Sequence, residues 1–303
     1  MHEQIAANKR KTFLLIVLAI AFTGAIGWLI GFLWFNGGTV GLVIAVVLAL
    51  VLSLSSYFFG DKAVLASTRA RKVTPEEEPR LHNVVEGLAI AAGVPKPQVY
   101  VVPEMAPNAF ATGRDPEHSS IAVTQGLLDI MNRVELEGVI GHEMSHVLDR
   151  DILVGTVVAT VVGAAILLSE IFTRTWFFGG GGRRRDSGGG DAGILYLVLF
   201  AVGIVLLILA PLAGQLIKLS VSRNREYLAD AQGVLLTRYP PGLISALEKI
   251  GAAPHAMRAA NNATAHLWLD QPSRIPGQQT STIERLFSTH PPIQERIRRL
   301  QEM

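Results

Sequence analysis

Two histidines and a glutamate in residues 141–146 (Gly-His-Glu-Met-Ser-His) have the types and the spacing for metal-assisted hydrolysis. His142 and His146 are four residues apart, so on a helix both imidazoles leave the same face and can reach one ion. Glu143 lies beside that face, where a carboxylate can take a proton from water made acidic by the metal. The bland alternative is a charged helix with two solvent-facing histidines. A catalytic site of this type needs three protein ligands and an open position. No glycine and third histidine follow closely, because Asp149 and Ile152 occupy those places. The chain has no cysteine, which excludes thiolate ligands and disulfides and leaves His, Asp or Glu as the third ligand. His255, His266 and His290 qualify, as does Glu226 in residues 222–230 (Ser-Arg-Asn-Arg-Glu-Tyr-Leu-Ala-Asp). Glu226 and Asp230 are one helical turn apart, so one can bind the ion while the other accepts a ligand histidine's second N–H. A solvated helix face would show the same spacing.

The elements that must carry these residues are unusually apolar. Half of the 303 residues are hydrophobic and only 17% are charged, with the excess concentrated in blocks. That pattern indicates membrane spans beside a polar domain rather than one large core. A net charge of +2 gives no sign of a nucleic-acid surface. Residues 13–35 and 40–59 are apolar runs long enough to cross a bilayer as helices, joined by an uncharged Asn-Gly-Gly-Thr turn at 36–39. The first run is too long for a signal peptide and no small-residue cleavage site follows it. Lys9, Arg10 and Lys11 precede this hairpin, and Lys62, Arg69, Arg71 and Lys72 follow it. Both of its ends are therefore expected on the cytoplasmic side. Two further runs, 152–169 and 192–217, flank a glycine-rich linker at 179–191 that holds Arg183, Arg184 and Arg185. Those arginines oppose a simple outward hairpin, but the run lengths favour two crossings over partial entry. The linker has no Lys-Ser/Thr phosphate signature, so no nucleotide is expected.

Between the hairpins the sequence is that of a water-soluble segment. Thr74-Pro75-Glu76-Glu77 is expected to cap a helix ending near Gly93, with Leu81, Val84, Val85, Leu88 and Ala92 on its inner face. Strands are expected at 97–103, 109–112 and 120–124. Asn132 with Glu135 can cap the helix bearing His142, Glu143 and His146. Its charges (Arg133, Glu135, Glu137, Asp149, Arg150) argue against immersion in lipid. The segment after Lys218 is polar and helical, is broken at Pro240-Pro241-Gly242, and ends in an amphipathic helix after Pro292. The expected organisation is an apolar hairpin (1–60), a first half of a polar domain (61–151), a second apolar hairpin (152–217) and a second half (218–303). If residues on both sides of the second hairpin share an ion, the chain between them must cross twice or not at all.

The motif at 142–146, with Ser-Val-Ser-Arg-Asn-Arg-Glu-Tyr-Leu-Ala-Asp at 220–230, resembles the HtpX membrane metalloproteases, relatives of the eukaryotic CAAX prenyl endopeptidases. Pro-Asn-Ala-Phe-Ala-Thr-Gly at 107–113 and Ser-Thr-His-Pro-Pro at 288–292 match further motifs of that family. The resemblance implies a mainly α membrane protein: four apolar helices in two hairpins, plus a zincin-like α+β catalytic domain with a small β-sheet. It implies one zinc ion on His142, His146 and Glu226, Glu143 as general base, and Asp230 supporting a ligand histidine. It places His290 near the site, as oxyanion partner or as a helix cap, and Asn108, Ala109 and Phe110 along an edge strand that binds extended substrate. The implied activity is hydrolysis of peptide bonds in damaged or misfolded membrane proteins, on the cytoplasmic side of a bacterial inner membrane. An intramembrane protease would put the motif within an apolar run. A silent zinc-stabilised scaffold would have no use for Glu143.

Overall fold

The computed structural model describes residues 2–35, 38–161, 223–253, 264–270 and 291–303. The chain divides into two compact units. One comprises Met1–Phe13, Ser55–Thr160 and Ile217–Met303, the other Leu14–Leu54 and Val161–Leu216. In the second unit the described chain is a pair of helices, α1 (His2–Phe35) and α2 (Gly38–Ser67), which both continue into the first unit. Leu42–Ser67 is long and apolar enough to cross a membrane by length and composition. Val43, Ile44, Val47, Leu48 and Val51 stand exposed, a surface suited to lipid and costly in water. The two later apolar runs and their arginine linker lie, but for residues 152–161, outside the described residues.

The first unit is helical around a four-stranded mixed sheet. Helix α3 (Pro79–Ala92) follows β1 (Arg71–Lys72), and β2 (Gln98–Val102), β3 (Ala109–Gly113) and β4 (Ser119–Thr124) come next, in spatial order β1-β2-β4-β3. β2 and β4 are parallel, and the outer pairs antiparallel. Every residue of β3 and β4 is buried, because both sheet faces are covered. Leu81, Val84, Val85 and Leu88 of α3 pack with Val99, Val101, Ile121 and Val123. Phe110, Ala122 and Trp268 belong to a separate cluster.

Helix α3 starts one turn later than the Thr74 signal suggests. The Thr74 amide bonds Glu77, but residues 75–77 form only a turn. Pro79 holds Glu78 at φ −130°, ψ 67°, outside the helical region, so the helix opens at Pro79 itself. Its end matches the expectation: Gly93 takes the left-handed conformation, φ 68°.

After α4 (Gln125–Ile130), helix α5 (Arg133–Leu148) begins with a complete capping box between Asn132 and Glu135. It ends before Asp149 and Arg150, where the sequence suggests continuation. Arg150 adopts φ 58°, turning the chain into α6 (Asp151–Val161). Helices α7 (Arg223–Thr237) and α8 (Pro240–Ala252) pack on α5, and α9 (Ile293–Gln301) closes the C-terminal end. Two glycines let α5 and α7 meet backbone to backbone. A Cβ on Gly233 would lie 2.8 Å from the His142 nitrogen and 2.9 Å from the Gly141 carbonyl carbon.

Candidate metal centre

The approach permitted by Gly141 and Gly233 brings the polar end of α7 against the histidine face of α5. His142 and His146 place their Nε2 atoms 3.2 Å apart. The Glu226 carboxylate lies 3.8 Å from one and 3.7 Å from the other. One ligand atom from each of the three residues falls within 4.8 Å of the others, a group that could hold a metal ion. His142, Glu143 and Glu226 are buried, and His146 is partly so.

Each imidazole is fixed from behind by a carboxylate. His142 Nδ1 donates to Asp230 Oδ1 at 2.8 Å, and His146 Nδ1 to Asp151 Oδ2 at 3.0 Å. With both Nδ1 atoms engaged, the Nε2 lone pairs are the ones turned to the common centre. This donor set fits a divalent ion that accepts imidazole and carboxylate. Burial lowers His146, but the Asp151 hydrogen bond and the Glu226 charge outweigh it and raise the ring to about 9. His142 behaves oppositely: burial and the Arg296 charge hold it at about 4.

Glu143 lines the same cavity, a space of ≈ 60 Å³ bounded also by Ala111, Gly155, Arg225 and Trp268. Burial pushes its carboxyl up to about 7 against the pull of His146, and the Ala111 backbone supplies it a hydrogen bond.

Sequence reasoning missed three residues of this site. Asp151 is five residues past His146, a spacing that faces nothing on a continuous helix. Arg225 Nη1 donates to Asp151 Oδ1 at 2.7 Å. Arg296, 1% exposed, grips Asp230 through Nε at 2.9 Å and Nη2 at 2.6 Å, and donates to the Leu269 carbonyl at 3.0 Å.

His266 lies at the cavity wall but its Nε2 donates to the Gly155 carbonyl at 3.1 Å, outside the ligand cluster. His255 and His290 fall outside the described residues. Ala109 and Phe110 open the edge strand β3, with Asn108 just before it, and the chain's own segment meets them. The Leu269 amide donates to the Ala109 carbonyl at 2.9 Å. Asn108 Nδ2 donates to the Asp270 carbonyl at 2.9 Å, and the Asp270 amide returns a bond to Asn108 Oδ1 at 3.1 Å. The Phe110 ring is buried edge-on against Trp268, centroids 4.7 Å apart.

Fold and site together fit a metal-dependent hydrolase, with two histidines that could hold an ion and a neighbouring carboxylate on one helix. Comparison with known proteins narrows the class. The profile of Peptidase family M48 matches residues 75–303. A Protease HtpX homolog of Caldanaerobacter subterraneus subsp. tengcongensis is 47% identical, aligned over 100% of this chain and 98% of that protein. Those of Lactobacillus acidophilus and Streptococcus gordonii are 44% and 42% identical, each aligned over the full length of both proteins. A crystal structure of S. mikatae Ste24p aligns over 99% of this chain and 67% of that one, at 21% identity and a TM-score of 0.48. The chain belongs to Peptidase family M48. It is a membrane metalloprotease, and among the described residues Leu42–Ser67 is long and apolar enough to cross a bilayer.

Proposed function

We propose that this chain is a multi-pass zinc endopeptidase whose site faces the cytoplasm and cuts exposed segments of damaged or misfolded membrane proteins in a bacterial inner membrane. One observation carries the reading: two imidazoles and a carboxylate from distant helices converge beside a buried Glu143. His142, His146 and Glu226 would hold the ion, while Asp230 and Asp151 keep both rings oriented. Zinc there would polarise a substrate carbonyl, make water more acidic and draw Glu143 toward its ionised form. Glu143 takes the proton of the attacking water and returns it to the departing amine. The Ala111 amide keeps that carboxylate in place.

The cavity has room for a few water molecules but not for an extended peptide. Substrate therefore adds along the outer edge of β3 at Asn108, Ala109 and Phe110 in place of residues 268–270, using the same main-chain groups. The resemblance gives His290 one of two roles, stabilising the oxyanion or capping the terminal helix. The basic residues around the first hairpin support the cytoplasmic orientation, and the four apolar runs support two hairpins.

Purified wild type and Glu143→Gln, assayed on an unfolded membrane protein with and without chelator, test the mechanism. The variant should keep its zinc and lose activity by about 10²–10⁴-fold. Cleavage at the wild-type rate would remove Glu143 from its role.

A further inference from the structure

Asn8 lies in the polar first turns of α1, ahead of the apolar residues, where solvent exposure is the rule: Ala7, Lys9 and Arg10 are all exposed. Asn8 is 6% exposed. It belongs to the first unit, and its amide is fully used there. Nδ2 donates to the Asp149 carbonyl at 2.9 Å and to Asp151 Oδ1 at 2.7 Å, while Arg225 Nη1 reaches Asn8 Oδ1 at 3.3 Å. Burying an amide is unfavourable unless its hydrogen bonds are made, and here donor and acceptor are both satisfied. The residue type is dictated. An aspartate would face Asp151 and a carbonyl with no proton to give, and an alanine would leave both oxygens short of a donor.

The Asp151 carboxylate is thus divided between two tasks. Oδ2 receives His146 Nδ1, and Oδ1 receives Asn8 and Arg225. Its orientation, and with it the tautomer and direction of the His146 ring, depends on the two donors on the far side.

We propose that Asn8 is a positioning residue of the metal centre, acting through Asp151 on His146, so that the N-terminal turns of the first apolar helix complete the site. This rests on the reading of His142, His146 and Glu226 as metal ligands. Asn8, Asp151, His146 and Arg225 all lie in the first unit.

The test measures zinc affinity by chelator competition on the full-length, detergent-solubilised protein. Wild type should hold one zinc per chain by elemental analysis, and His146→Ala should lose it. If either fails, the ligand assignment falls and Asn8 with it. If both hold, Asn8→Ala should weaken zinc binding by about tenfold, and lower kcat with little change in KM. In an Asp151→Asn background the same substitution should add less than about twofold, because the two residues act as one unit. Asn8→Asp, of equal size, should weaken binding at least as much as Asn8→Ala and serves if the alanine protein does not accumulate. Lys9→Ala, on the exposed side, should leave zinc affinity unchanged. Wild-type affinity in both Asn8 variants, or a full tenfold loss repeated in the Asp151→Asn background, would overturn the proposal while leaving the ligand assignment intact.

Discussion

Replacing Gly233 with alanine separates packing from propensity by the sign of its effect. In a helix interior, alanine is more favourable than glycine by about 1 kcal/mol, so a tolerated methyl would stabilise α7. The structure denies it room. The new Cβ would lie 2.8, 2.9 and 3.1 Å from the His142 nitrogen, the Gly141 carbonyl carbon and His142 Cα, all backbone atoms. Ordinary contacts of this kind begin near 3.5 Å, so α5 and α7 must part by roughly 0.7 Å. Overpacking of this kind costs about 1–3 kcal/mol. Asp230 is one turn from Gly233, and its 2.8 Å bond to His142 would stretch to roughly 3.5 Å, beyond useful hydrogen bonding. We expect zinc affinity to fall about 10–100-fold and kcat to fall about 100-fold. Chelator competition and turnover of an unfolded membrane substrate measure both, and a thermal melt of the metal-free protein gives the packing cost. A higher melting temperature with unchanged zinc affinity would refute the reasoning.

Three further outcomes follow from the same geometry. Glu226→Ala should purify without zinc, and full occupancy by elemental analysis would assign the third ligand elsewhere. Burial raises the Asp230 carboxyl, but the Arg296 charge and the hydrogen bonds from His142 and Arg296 outweigh it and hold it at about 2. A carboxyl depressed in the folded state contributes stability above its unfolded value of roughly 3.9 and loses it as pH falls through about 2, here about 2–3 kcal/mol. In Arg296→Met the carboxyl loses its partner, so acid unfolding of the metal-free protein, followed by circular dichroism, should begin at a higher pH; an unchanged midpoint would count against the pair. Finally, if substrate replaces residues 268–270 on β3, a substrate peptide bound to Glu143→Gln protein should speed hydrogen exchange at the Leu269 amide. Continued protection there would place the peptide elsewhere.

The part of the site that is legible in the chain is the part carried by one helix. A four-residue spacing fixes two side chains on one face wherever the helix goes, so the residue order alone pairs His142 with His146. Glu226 and Asp230 carry only half that information, because spacing cannot tell a ligand pair from a solvated face without the close approach at Gly141 and Gly233. The strands at 98–102 and 119–124 follow from β-branched residues between turn residues, whereas 109–113 (Ala-Phe-Ala-Thr-Gly) has only Thr112 of that type and is marked mainly by the turns around it. β1 has two residues and no pattern to find, and the parallel pairing of β2 with β4 is set by packing on both faces.

The residues missed share a cause: each depends on a backbone turn or on burial rather than on type. Arg296, Arg298 and Arg299 look alike in an amphipathic helix, yet only Arg296 is enclosed. Asn8 looks like helix-leading polarity. Asp151 is the clearest case. On an unbroken helix a residue five positions on from His146 points well away from it, and nothing at 149–151 announces a break: there is no glycine, and arginine rarely accepts a positive φ. Arg150 does so here, at φ 58°, and that one turn swings Asp151 back beneath the ring it orients. The strain of that conformation is of order 1 kcal/mol. The hydrogen bonds that Asp151 forms with His146, Asn8 and Arg225, several of them charge-assisted, are sufficient to hold it.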